Sequence, residues 1–202
     1  MEAVIRFHIL KDTRDIDVSQ LPVDKTYIHL VNELVPEINR QQLVQQGLLP
    51  VENSQLSDEE VRRFMAHIRL LEKIKDIADP NEEWHHVIFE DKVNLLPDFM
   101  TKHLELLGNL PQNYDIAHIY VFPQQEWILN KGHVYETLKQ FKGICAYGVS
   151  PKGRKQILQK LKPMKTNLDI QIRNSGLLSY TVYNDFVEHI DPDNCIGLYQ
   201  EF

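Results

Sequence analysis

Three stretches of the chain carry residues able to do chemistry. The first is Val87-Ile88-Phe89-Glu90-Asp91-Lys92-Val93, an apolar run that ends in two adjacent carboxylates. Such a pair holds a divalent cation through hard oxygen ligands, and the cation in turn clamps a diphosphate. Side chains alternate along a strand, so Glu90 and Asp91 meet one ligand only if the backbone turns there. A strand leaving its sheet through a solvated acidic turn produces the same local pattern. The second stretch is Ala146-Tyr147-Gly148-Val149-Ser150-Pro151-Lys152-Gly153-Arg154-Lys155, where a strand delivers the start of a helix. The free amides and positive dipole end of that helix accept anions, and Lys152, Arg154 and Lys155 add charge. Three solvated cations on an exposed turn are the plainer alternative. The third is His67, set between Phe64 and Leu71 at the edge of an apolar helical stripe. A histidine so placed is more often a satisfied, half-buried side chain than a catalytic one. The other eight histidines show no i, i+4 pairing with carboxylates suited to zinc, and no P-loop, G-x-S-x-G, G-x-G-x-x-G or kinase motif occurs.

These residues need elements to position them. Val4 to Leu10, Tyr27 to Val31, Trp84 to Phe89, Asp115 to Phe122, Cys145 to Val149 and Leu178 to Tyr183 read as strands, rich in β-branched and aromatic residues. Glu37 to Gln46 reads as a helix ended by Gly47. Ser57-Asp58-Glu59-Glu60 is a capping box, followed by Val61, Phe64, Met65, Ile68, Leu71, Ile74 and Ala78 at helical spacing, and Asp79-Pro80-Asn81 stops the helix. Ser150 as N-cap and Pro151 at the first position open another helix reaching about Leu161. Strands separated by helices predict an α/β fold with a mostly parallel sheet and helices on both faces. In such sheets ligands bind outside the carboxyl ends of the strands. The expected site is therefore a cleft at that rim, flanked by Asp91, Lys92 and the turn at Ser150.

Composition sets the bounds. The 202 residues predict a single domain over 1–202, without repeats or Gly/Ser linkers, and 43% apolar with 25% charged residues supply a real core. A net charge of −7, from 22 basic and 29 acidic residues, argues against a nucleic-acid partner or an anionic membrane surface. Cys145 and Cys195 form no framework, no basic-then-apolar leader opens the chain, and no apolar run nears the ~20 residues of a membrane span. These features predict a cytoplasmic protein.

Taken in order, the segments resemble glycosyltransferase family 25, which includes lipooligosaccharide and procollagen galactosyltransferases. That family reads roughly L-[ST]-x-x-E and S-H-x-x-x-W in a capped helix, a strand ending in L-E-D-D followed by P-x-F, then A-Y-x-x-S-x-x-G and P-[IV]-D-x-x-L. Here the matching residues are Leu56-Ser57-Asp58-Glu59-Glu60, Ala66-His67, Ile88-Phe89-Glu90-Asp91-Lys92 with Pro97-Asp98-Phe99, and Ala146-Tyr147-Gly148-Val149-Ser150-Pro151-Lys152-Gly153. The likeness spans about Leu56 to Ile190. It implies a GT-A-like fold and inverting transfer of a hexose, galactose or glucose, from a UDP sugar to a glycan or protein hydroxyl. It also implies a nucleotide-sugar site drawn from Arg14, His67, Glu90, Asp91, Lys92, Tyr147, Ser150 and Lys165. Asp91 would bind manganese or magnesium, and Asp169 would take the acceptor's proton.

The chain departs from the pattern at two acids. Lys92 stands for the last aspartate of E-D-D, and Lys165 for the aspartate of P-[IV]-D-x-x-L, where the chain reads Pro163-Met164-Lys165. A cation's task in sugar transfer is to offset charge on the leaving diphosphate, so two lysines reaching one pocket would replace the metal. A lysine paired with Asp91 would instead block the site. The alternative to a transferase is thus an inactive relative that binds a glycan or a partner; a nucleotide-sugar hydrolase is a third reading.

Overall fold

The computed structural model describes residues 4–10, 17–21, 28–31, 37–52, 55–77, 84–122, 128–131, 134–136, 142–182 and 187–189. In chain order the elements are β1 (Val4–Leu10), β2 (Ile28–Val31), α1 (Arg40–Gln45), α2 (Asp58–Ile77), β3 (Trp84–Glu90), β4 (Val93–Leu95), α3 (Phe99–Asn109), β5 (Ile116–Phe122), β6 (Ile128–Lys131), β7 (Val134–Glu136), β8 (Lys142–Val149), α4 (Pro151–Leu161), α5 (Leu168–Arg173), β9 (Ser179–Val182) and β10 (Val187–His189).

Local chemistry accounts for the helix starts. In the capping box of α2 the Glu60 N–H donates to Ser57 Oγ at 3.2 Å, and the Ser57 N–H donates to Glu60 Oε2 at 2.6 Å. Asp58, Glu59 and Glu60 then sit at the positive end of the helix dipole. At α4 the Ser150 hydroxyl accepts the Gly153 N–H at 2.9 Å behind Pro151. Gly47, at φ +69°, takes the left-handed turn after α1, which is shorter than its sequence pattern predicts.

Eight strands form one open sheet in the order β2-β1-β3-β8-β5-β9-β7-β6, while β4 and β10 pair antiparallel in a second, small sheet. The β1–β2, β1–β3 and β5–β9 pairs are parallel. The β3–β8, β5–β8, β7–β9 and β6–β7 pairs are antiparallel. The sheet is therefore mixed, not mostly parallel. Its described excursion between β5 and β8 consists of two short strands, with no helix, and a strand entered without a helical crossover returns antiparallel. Helices do cover both faces. Phe64, Ile68 and Leu71 of α2 and Ile157 and Leu161 of α4 pack with Ile88, Tyr147 and Val149 on one side. Phe99 and Leu106 of α3 pack with Phe7, Val87, Phe89 and Ala117 on the other. No helix among the described residues is long and apolar enough to cross a membrane. Ala78 and Tyr183, expected as an end of α2 and of β9, lie outside the described residues.

Two features of this core are open to measurement. A Cβ built on Gly153 would stand 2.0 Å from the Asp115 carbonyl oxygen, so α4 meets the start of β5 backbone to backbone. Gly153→Ala is expected to destabilise the chain by about 3 kcal/mol or more in urea unfolding, above the usual range for an overpacked core because backbone must move. The second is acid sensitivity. Burial holds His118 at a pKa of about 3, and burial together with the neighbouring His85 holds His103 there as well. Above the ordinary value of 6.5 both folded and unfolded imidazoles are neutral and stability is full; between 6.5 and about 3 the unfolded chain takes up protons that the core refuses. The urea midpoint should therefore fall steadily as pH drops through this window. His103 sits with both ring nitrogens unpartnered among the described residues, stacked on Phe99, so His103→Leu should flatten that fall by one proton's worth of slope.

Candidate functional site

The parallel part of the sheet creates one crevice by its topology. From β1 the chain moves to β2 on one side and returns to β3 on the other, so the strand order reverses at β1. Open α/β sheets bind ligands outside the carboxyl ends of the strands at such a switch point. Leu10 and Glu90 are paired at these ends, and the Asp91 N–H donates to the Leu10 carbonyl at 3.0 Å. Asp91 is buried and Lys92 exposed in the turn between β3 and β4.

Directly behind this turn lies a connected set of polar side chains. Arg63 and His67 are four residues apart on α2, hence on one helix face. The Arg63 Nε–H donates to Glu90 Oε1 at 2.6 Å, and the same guanidinium donates through Nη2 to the Ile144 carbonyl at 2.8 Å. His67 Nε2 lies 2.9 Å from Glu90 Oε1, and His67 Nδ1 lies 2.9 Å from the Tyr147 hydroxyl. Their partners fix the roles: a carboxylate only accepts, so Nε2–H donates to Glu90 and a neutral imidazole accepts the Tyr147 O–H at Nδ1. Burial alone would raise the Glu90 pKa, but the Arg63 charge and the hydrogen bonds from His67 and Arg63 reverse it and hold it at about 2. Burial lowers the His67 pKa against the pull of Glu90, so the ring stays neutral. Burial and the Glu90 charge push the Tyr147 hydroxyl upward. The result is an anchored carboxylate at the end of β3, tied to α2 and β8 at once.

The structure thus brings Glu90, His67 and Tyr147 together, with Asp91 and Lys92 in the adjoining turn. Arg63 is the member that sequence reading missed; its signal was the four-residue spacing to His67 and the need of any buried acid for a cation. Ser150 does not belong here. Because β8 runs antiparallel to β3, its last residue Val149 pairs with His86 near the start of that strand. Ser150 therefore stands at the opposite rim, roughly 16 Å or more from Asp91 at about 3.3 Å per residue. Its hydroxyl donates to the Tyr114 carbonyl at 2.7 Å and accepts from Gly153, which makes it a cap and a clamp. Lys152 lies at that far rim too, its ammonium 3.2 Å from both the Asn113 carbonyl and Asp115, while Arg154 is buried. Lys165 is exposed between α4 and α5, its N–H donated to Gln171 Oε1 at 2.8 Å. Asp169 is 1% exposed in the first turn of α5, enclosed away from an acceptor arriving from solvent. Arg14 lies outside the described residues.

The arrangement does not fit a two-carboxylate cation clamp. The Glu90 charge is matched by Arg63 at 2.6 Å, and the position after Asp91 carries an ammonium. Among the described residues, no three His, Cys, Asp or Glu side chains gather as a cation site.

The anchoring set predicts its own mutational signature. Arg63→Met leaves Glu90 buried beside a neutral ring and should cost about 2–3 kcal/mol in urea unfolding, less than for a fully buried pair because Arg63 is 31% exposed. Adding Glu90→Gln to that variant should recover most of the loss. The Glu90 contribution is complete above its ordinary value of 4.5 and fades as pH falls towards about 2, so the single variant's deficit should shrink in acid.

No family model matches this chain, and no curated protein matches it. Among solved structures, the crystal structure of A197 from STIV is similar to it with a TM-score of 0.42 and 12% sequence identity, over 89% of this chain and 81% of that one.

Proposed function

We propose that the chain is a GT-A-type transferase that takes a hexose from a nucleoside diphosphate sugar, with UDP-galactose or UDP-glucose as donor, to a hydroxyl of a glycan or protein. One observation carries this reading: the Glu90-Asp91-Lys92 segment ends β3 at the switch point, hydrogen-bonded to the end of β1 through Asp91. A diphosphate seated there faces the Lys92 ammonium. Catalysis of sugar transfer consists largely of offsetting charge on the leaving diphosphate, and a cation at the rim contributes to that task. The anchored Glu90 acts on the backbone of the turn, holding Asp91 and Lys92 in place, so it is a positioning residue. The resemblance to family 25 supplies the substrate class.

A binding module without transfer is the second reading. Lys92 in the place of an acid and the enclosure of Asp169 favour it, since both alter positions that the resemblance assigns to chemistry.

Calorimetric titration with UDP and both UDP-hexoses, followed by transfer assays with labelled donor, separates these outcomes. We expect binding that Lys92→Ala weakens by about tenfold or more, equivalent to ~1.4 kcal/mol. Lys155→Ala, at the far rim, should leave it unchanged. Binding with release of no sugar to any acceptor selects the module. An absence of binding by UDP and both UDP-hexoses would falsify the proposal.

A further inference from the structure

The basic residues of this chain are unevenly placed. Six of the 22 fall in the run from Pro151 to Thr166, which contains none of the 29 acidic ones. Most of that run is α4. Arg154, Ile157 and Leu161 form the buried side of the helix, the last two packed in the core against the sheet. Lys152, Lys155, Gln159 and Lys162 follow at three- and four-residue steps and so line the opposite side, with Gln156 and Lys160 on the next ridge. Asp115 pairs with Lys152 at one end of α4, and Glu72 with Lys162 at the other. Between these ends Lys155 and Lys160 are exposed and form no ion pair among the described residues, as is true of Lys165 in the turn that follows.

We infer that this outer face of α4 is a docking surface for an anionic lipid bilayer, which it meets flat and without inserting. The net charge of −7 does not oppose this. Fields of exposed charges fade within about 8 Å in physiological salt, so a surface lying against α4 responds to the local lysines. The acidic excess over the rest of the chain disfavours other approaches and so orients the docked molecule. The side chains select a bilayer over a nucleic acid. The outward positions of α4 offer lysine and glutamine, with no arginine to grip a phosphate bidentately and no aromatic ring to stack a base. Ammonium groups on flexible stems suit instead a fluid plane of headgroups whose charges have no fixed register. The apolar side of α4 is already packed in the core, so nothing on this helix enters the hydrocarbon.

The test is co-sedimentation of the full chain with vesicles of phosphatidylcholine alone and of phosphatidylcholine mixed with about one-third phosphatidylserine. The expected result is binding to the mixed vesicles, none to the neutral ones, and release in about 0.5 M sodium chloride. Lys155→Ala and Lys160→Ala should each lower the partition coefficient by roughly fivefold, and the double variant by about tenfold or more, with the urea midpoint unchanged. Lys102→Ala, an equal change of charge on α3 in the other helical layer, should leave it within about twofold. A short DNA duplex is titrated in parallel at the same salt. Duplex binding without vesicle binding would overturn the bilayer in favour of a nucleic acid. Failure to bind the mixed vesicles, equal binding to the neutral ones, or undiminished binding by the double variant would each overturn the inference as well.

Discussion

A carboxylate that is nine-tenths buried has to be matched, and the way Glu90 is matched organises this molecule. Burial of the charged form in a low-dielectric core is unfavourable by several kcal/mol unless a counter-charge and hydrogen bonds replace water. Arg63 and His67 do this from one face of α2, and Arg63 reaches on to the Ile144 carbonyl of β8. One side-chain set therefore fixes the long helix to two neighbouring strands at the end of the sheet where β1 and β3 open their crevice. The capping box places the start of α2, and the apolar stripe sets its rotation; the ion pair then fixes how it sits along the strands.

The antiparallel direction of β8 divides the molecule into two polar ends. At one end lie the crevice, the anchored Glu90 and the Asp91-Lys92 turn. At the other, the N-terminus of α4 closes on the start of β5 through Ser150, Gly153 and Lys152. Both ends are polar and both carry lysines, and only the strand direction tells them apart. The Ser150 end is occupied by its own backbone: Asp115 Oδ2 accepts the Leu178 N–H, and the Asp115 carbonyl accepts the Ser150 N–H. Its hydrogen-bonding capacity is turned inward.

What could be read from the sequence was what local chemistry determines. The Ser57–Glu60 reciprocal cap, the Ser150-Pro151 start and the strands around Val4, Trp84 and Ile116 follow from residues within a few positions of each other. The helix α3 hid for an identifiable reason: its N-cap Asp98 adopts φ 65° and makes no capping bond, and its buried face uses a histidine between Phe99 and Leu106. The six-residue α5 and the three-residue β4 and β10 are too short to leave a period. Parallel or antiparallel sense is a property of strands far apart in the chain, so the side of the sheet on which Ser150 emerges was not legible. The same holds for Arg63, whose partner lies 27 residues away.

The strand directions also decide where variation can accumulate. β5 runs parallel to β3 through their shared antiparallel neighbour, so β5 ends at Phe122 and β8 begins at Lys142 on the side of the sheet where β3 ends. β6 and β7, which fall between those residues in the chain, pair at the edge of the same sheet beyond β9. Exchanging this strand pair alters the border of the sheet while α2 and α4 keep their seats on its middle strands. The border of the sheet and its helix-covered middle are thus encoded in separate parts of the polypeptide, and the one can drift without the other.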